Sequence, residues 1–311
     1  MTQGAGGGTP LPPVAIADEA ALDAPARPVA VAGRRRWGRL GLHLTLAVIS
    51  IVWLLPTVSL FVSSFRPEAA TNTSGWWTAF GLPFEFTLEN YLTVITRNNM
   101  GTSFLNSLLI AIPATVIPIM VAAFAAYAFA WMSFPGRDIL FVLVVGLLVV
   151  PLQAALIPVL QLSVNLGIVG TFPAVWLAHT GFGLPFAIFL LRNFFGAMPR
   201  EMFESAYIDG ATPTTAFFRL AMPLAVPAIA SLIIFQFMWT WNDLLVALVL
   251  VGGFPEVAPM TVTIANLVDS LGRNWHLLTA AAFISMLLPL LVFFGLQRYF
   301  VRGILGGSVK G

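Results

Sequence analysis

The residues best equipped for chemistry in this sequence are Gln236, Trp241, Asn242 and Asp243, all set within the apolar run 224–250. A carboxylate in such surroundings is costly to ionise without a partner, so Asp243 calls for a hydrogen-bond donor or a wetted cavity. Two readings stay open. The polar groups can line a path along which a polar solute crosses, with Trp241 offering a flat apolar face. Alternatively, they can tie one helix to another. Gln153, Gln161 and His179, in other apolar runs, pose the same choice. Gln153 follows Pro151, where a kink frees backbone groups. His179 lies close to Gly181, Gly183 and Pro185, which loosen a helix.

No catalytic pattern accompanies these groups. H-E-x-x-H and G-x-S-x-G are both absent, and the chain has no cysteine, so neither a Cys–His metal set nor a disulfide is possible. The glycine-rich end, Gly306 to Gly311, lacks the G-x-x-x-x-G-K-[ST] phosphate loop. The expectation is a chain that is not an enzyme and holds no metal or cofactor of its own.

The elements that must position these side chains are membrane spans. Hydrophobic residues make up 59% of the 311 and charged residues 9%, against roughly 25% charge in a soluble domain. Residues 1–33, rich in Ala, Gly and Pro, read as a disordered cytoplasmic tail, and 34–311 as a six-span, all-α integral membrane domain. The spans are expected at about 42–64, 104–131, 139–160, 172–194, 224–250 and 277–299, each long enough to cross a bilayer. Prolines within the second to fourth spans, among them those at 113, 118, 151 and 158, should kink them. Trp76 and Trp77, in the first external segment, suit the headgroup level. With both termini inside, twelve of the fifteen Lys and Arg residues fall on the cytoplasmic side, leaving only Arg66, Arg97 and Arg273 outside.

Between the fourth and fifth spans lies a polar island, Pro199 to Pro227. Pro199, Glu201 and Glu204 suit a helix start, and Met202, Phe203, Ala206 and Tyr207 share one helical face. Gly210 can take a left-handed cap, and Thr212-Pro213 reads as the N-cap and first turn of a second short helix. Two short amphipathic helices joined by a glycine elbow suit docking against a soluble partner. An interfacial helix lying on the bilayer is the other possibility.

Glu204-Ser205-Ala206, Asp209-Gly210-Ala211 and Leu220-Ala221-Met222-Pro223 resemble the E-A-A…G…I-x-L-P loop of permease subunits of binding-protein-dependent ABC importers, with Ser205 departing from the first alanine. The C-terminal stretch Gln297–Gly303 with Ser308–Gly311 is similar to that of maltose-type sugar permeases. Phe104–Ser107, Phe134–Arg137, Pro151–Gln153, Trp176–Thr180 and Trp241–Asp243 are similar to the alpha-glucoside members. The resemblance implies that the loop 199–223 is the cytoplasmic coupling helix region, with Met202, Phe203, Glu204, Ala206, Tyr207, Asp209, Gly210 and Ala211 meeting an ATPase. It further implies a second permease subunit, two ATPase subunits that bind ATP and Mg, an extracytoplasmic solute-binding protein, and residence in a bacterial inner membrane. No nucleic-acid partner is expected. Gln153, His179, Gln236, Trp241, Asn242 and Asp243 would then line the route of an oligosaccharide, with Trp241 stacking on a sugar ring. The competing class is an ion-coupled secondary transporter using Asp243 and His179.

Overall fold

A computed structural model describes residues 32–82, 84–267 and 274–308. The expected tail therefore lies outside the described residues up to position 31, as do Arg273 and the last three residues. Among the described residues every regular element is helical.

The chain divides into two compact units, Met1–Leu55 and Pro56–Gly311. What is described of the first is the N-terminal part of helix α1 (Ala32–Ser64), whose leucine, valine and isoleucine side chains point outward from Leu40 on. A helix that long with an apolar exterior is dressed for lipid.

The second unit continues with α2 (Glu68–Thr73), a 3-10 turn at Trp76–Phe80, α3 (Glu89–Thr96) and α4 (Met100–Trp131). Buried Asn90 donates to the carbonyls of Ser64 and Arg66, and Arg66 donates to the carbonyls of Ala70 and Ser74. These bonds reach carbonyls at the end of α1, within α2 and in the loop around them. Arg66 is thus buried structural glue within this first loop. Trp77, in the 3-10 turn, is exposed.

The centre of the unit is α4 against α7 (Phe172–Gly196). Small residues make this close approach possible: Ala111, Ala114, Ala122, Ala123 and Ala126 on α4 and Ala174, Ala178 and Ala187 on α7 are all buried. Trp176 Nε1 donates to Leu109 O at 2.9 Å across the seam. Thr171 precedes α7 with Pro173 in its first turn, where a missing N–H costs nothing.

Four helical segments are individually long and apolar enough to cross a membrane: Arg39–Ser64, Met100–Trp131, Phe172–Gly196 and Trp275–Gln297, the last within α14 (Trp275–Ser308). The expected third and fifth spans are not straight. α5 (Arg137–Gly146), extended by a 3-10 turn to Val149, meets α6 (Leu152–Asn165) at 105°. Pro151 has no N–H to continue the ladder and forces Val150 into extended backbone (ψ 117°). The elbow follows as α8 (Arg200–Ile208), α9 (Pro213–Ala216), a π-helical turn Phe217–Ala221 and α10 (Met222–Leu224), bent by 72° into α11 (Val226–Trp241). Counting each bent pair as one span gives six.

The expected continuous run 224–250 is corrected at its far end. α11 stops at Trp241, and α12 (Leu245–Val251) is a separate helix. Asn242 Nδ2 turns back to donate to Met238 O at 2.7 Å, and the Asp243 carboxylate accepts from Val246 N (3.3 Å) and Ala247 N (3.0 Å). An Asn-Asp pair that bonds its own backbone ends one helix and starts the next. α13 (Met260–Ala265) then packs on α4, with Ser103 and Thr263 hydroxyls 2.6 Å apart.

Candidate functional site

Two places gather the residues singled out by sequence. The first is the elbow. Thr212 Oγ1 accepts from Thr215 N at 3.2 Å, and Gly210 sits at φ +84°, where a side chain would strain the turn. The capping chemistry of the two short helices therefore stands as the sequence suggests.

The faces do not. Phe203 is 1% exposed, its ring stacked on Trp131 with centroids 3.9 Å apart. Tyr127 OH donates to Pro213 O at 3.2 Å and lies 3.4 Å from Tyr207 OH. Met202 and Ala206 are half-buried on the same side. Of the face expected to meet a partner, Phe203 is instead turned onto the ends of α4 and α7, Met202 and Ala206 are partly covered, and Tyr207 stays 39% exposed. The surface left open carries Glu201, Glu204, Ser205, Tyr207, Asp209 and Gly210, with Ile208 86% exposed among them, while Ala211 is half-buried. Ile208 was missed because it falls off the i, i+4 stripe, and only the geometry singles it out. Arg219 is exposed and pairs with none of the elbow's acids among the described residues.

The second place lies where α4, α7 and α11 meet. Gln236 Nε2 donates to Ala114 O at 3.1 Å and His179 O at 3.4 Å, so one amide bridges all three helices. The His179 ring is fully buried, its Nε2 3.5 Å from Asp243 Oδ2, and it stands edge-on to Trp239 with centroids 5.0 Å apart. Asp243 thus has the donors it calls for in the backbone N–H groups at the start of α12, with the His179 ring close by but outside hydrogen-bonding geometry. His179, Gln236 and Asp243 come together although 64 residues separate His179 from Asp243.

The remaining residues are placed elsewhere. Trp241 is 4% exposed, stacked on Phe237, edge-on to Phe104, and donates its indole N–H to Ser285 O at 2.9 Å. Its face is taken by protein, which corrects the expectation of ring stacking on a solute. Asn242 is exposed but spends its amide on Met238 O. Gln153 is exposed in the first turn of α6 and shares no hydrogen bond with the cluster among the described residues.

A bundle with broken spans, small-residue seams and an elbow helix hung from two span ends defines a multi-pass membrane permease. The chain belongs to the binding-protein-dependent transport system inner membrane component family, whose model matches residues 102–306. It is accordingly a transport subunit and not an enzyme. It is 58% identical over 277 residues to the osmoprotective compounds uptake permease protein GgtD of Synechocystis sp., covering 88% of this chain and 93% of that protein. It is 54% identical to the alpha-glucoside transport system permease protein AglG of Rhizobium meliloti, covering 80% of this chain and 67% of that one. In fold it is similar to a chain of a bacterial ABC transporter that imports alginate, at a TM-score of 0.75 and 22% identity over 88% of this chain and all of that one.

Proposed function

We propose that the chain is one permease subunit of an ATP-driven sugar importer and that its sugar is an alpha-glucoside. The observation that carries the coupling half is the two-sided build of α8. Phe203 and Tyr207 fasten it to α4, while Ile208, Glu201 and Glu204 face away. A helix held by one face and offered by the other transmits a push into the spans.

In this reading the outward face docks on an ATPase subunit. The elbow and both termini are cytoplasmic, in a bacterial inner membrane, and a second permease subunit completes the route. An extracytoplasmic binding protein delivers the sugar, as in the solved alginate transporter, which has been seen with its pentasaccharide-bound periplasmic protein. The substrate class is supported by the 54% identity to an alpha-glucoside permease. His179, Gln236 and Asp243 lie along or behind the route.

The test is reconstitution of the permease pair with its ATPases and binding protein in liposomes. ATP-dependent uptake of an alpha-linked glucose disaccharide, lost in Ile208→Asp, supports the proposal. ATP-dependent uptake of an unrelated solute only would leave the family and remove the substrate class.

A second reading is favoured by the buried His179–Asp243 pair, which has the composition of a proton relay. It predicts uptake by this chain alone under a pH gradient. Asp243 acting as a helix cap argues against it, because protonation would release α12.

A further inference from the structure

The surface between α7 and α11 holds a cleft of about 300 Å3 lined by Phe182, Gly183, Phe186, Phe235, Gln236 and Trp239. That volume is at the lower end of small-molecule sites. Phe182 and Phe186 lie near the midpoint of the span Phe172–Gly196, so the cleft sits at bilayer depth.

Its polar group is unusual. Gln236 is 8% exposed and its Nε2 is spent on two backbone carbonyls, while no donor reaches Oε1 among the described residues. That oxygen is not sealed in protein and belongs to the cleft wall. A carbonyl acceptor facing hydrocarbon forfeits a hydrogen bond, so such groups at membrane depth face a wet route. Gly183 keeps the carbonyl reachable: a Cβ there would stand 2.5 Å from Oε1. Behind the cleft, Trp239 leans on the edge of His179, which fixes its ring.

We infer that this cleft is a sugar subsite on the translocation route. One pyranose ring lays its C–H face on the aromatic rings of Phe186 and Trp239 and donates a hydroxyl to Gln236 Oε1. Aromatic rings present a negative face to the polarised C–H bonds of a sugar, and a lone acceptor amid apolar walls fits a ligand whose edge is all hydroxyl and whose face is not. A lipid chain has no donor for Oε1. The inference rests on the sugar-permease reading; it keeps Gln236 from the residues nominated by sequence and adds Phe182 and Phe186 to it.

The chain has no cysteine, so one introduced thiol is its only one. Phe186→Cys, and separately Phe182→Cys in case one variant fails to assemble, is reconstituted with the ATPases and binding protein. Each is treated with a charged methanethiosulfonate, with and without saturating maltose and binding protein. The expected result is modification that sugar slows severalfold while ATP hydrolysis continues. Absence of reaction means the cleft is covered by lipid or by the second permease, and reaction at the same rate with sugar means a wet surface without a sugar; either overturns the subsite. The complex carrying the unsubstituted chain is run beside them and corrects for thiols of the partner subunits. Should it import no maltose, the alpha-glucoside reading fails and the subsite with it; should it import maltose while both thiols stay unprotected, only the subsite fails.

Discussion

The indole of Trp131, in the last turn of α4, lies flat on the ring of Phe203 in the middle of α8, at 3.9 Å between centroids and 27° between planes. The same indole donates its N–H to Phe195 O at 3.1 Å, near the end of α7. One side chain therefore ties the elbow to both helices of the central seam. Displacement of α8 has to move α4 and α7 with it or break this stack.

Replacing Phe203 by alanine should cost ~3–5 kcal/mol of local stability, the usual range for a buried aromatic, and the partly buried Trp131 less. Thermal unfolding of the purified complex measures the loss. In a double-mutant cycle the stack itself should contribute about 0.5–1.5 kcal/mol beyond buried area. Uptake should fall further than ATP hydrolysis, because the joint and not the motor is damaged.

Ile208→Asp addresses the opposite face of α8. This side chain touches little of its own chain, so thermal stability should stay within ~0.5 kcal/mol of wild type. Copurification with the ATPase subunit should be lost, since a carboxylate would be buried unpaired in the interface. A variant that copurifies normally would remove Ile208 from the docking surface.

Asp243→Ala removes the cap of α12 and the acid opposite His179. Asp243 caps from the position before the N-cap Leu244, and loss of such side-chain capping costs ~0.5–2 kcal/mol. Asp243→Asn keeps one acceptor oxygen and should retain much of that. Stability of the pair of variants, read by thermal unfolding in detergent, separates capping from charge: equal losses would mean that the carboxylate charge, and not the cap, is what matters.

Trp241→Phe tests the correction made for that residue. The ring contacts with Phe104 and Phe237 survive and only the bond to Ser285 O is lost, for about 0.5–1.5 kcal/mol. The apparent KM for sugar should be unchanged. A severalfold rise would return Trp241 to the route.

Much of this was legible from pattern alone. Hydropathy gives the spans, and Thr212-Pro213 and Gly210 give the elbow, because caps and left-handed turns depend on local chemistry. Two things were not legible. An amphipathic stripe says that Met202, Phe203, Ala206 and Tyr207 are buried, but not whether the burying surface is a partner or the chain's own Trp131 and Tyr127. Asp243 read as an isolated acid within a span because hydropathy is blind to the helix break that the residue itself creates by capping α12. Phe182 and Phe186 carried no signal, since aromatics in an apolar run look like lipid-facing surface.

The central claim is that the exposed face of α8 is where an ATPase subunit docks. A single cysteine at Ile208, in a chain that otherwise has none, can be cross-linked in sealed cells and compared with one at Phe203. The account predicts a cross-link from Ile208→Cys to the ATPase subunit, none from Phe203→Cys, and no labelling of either by an impermeant reagent added outside. Labelling of Ile208→Cys from outside the cell would contradict it.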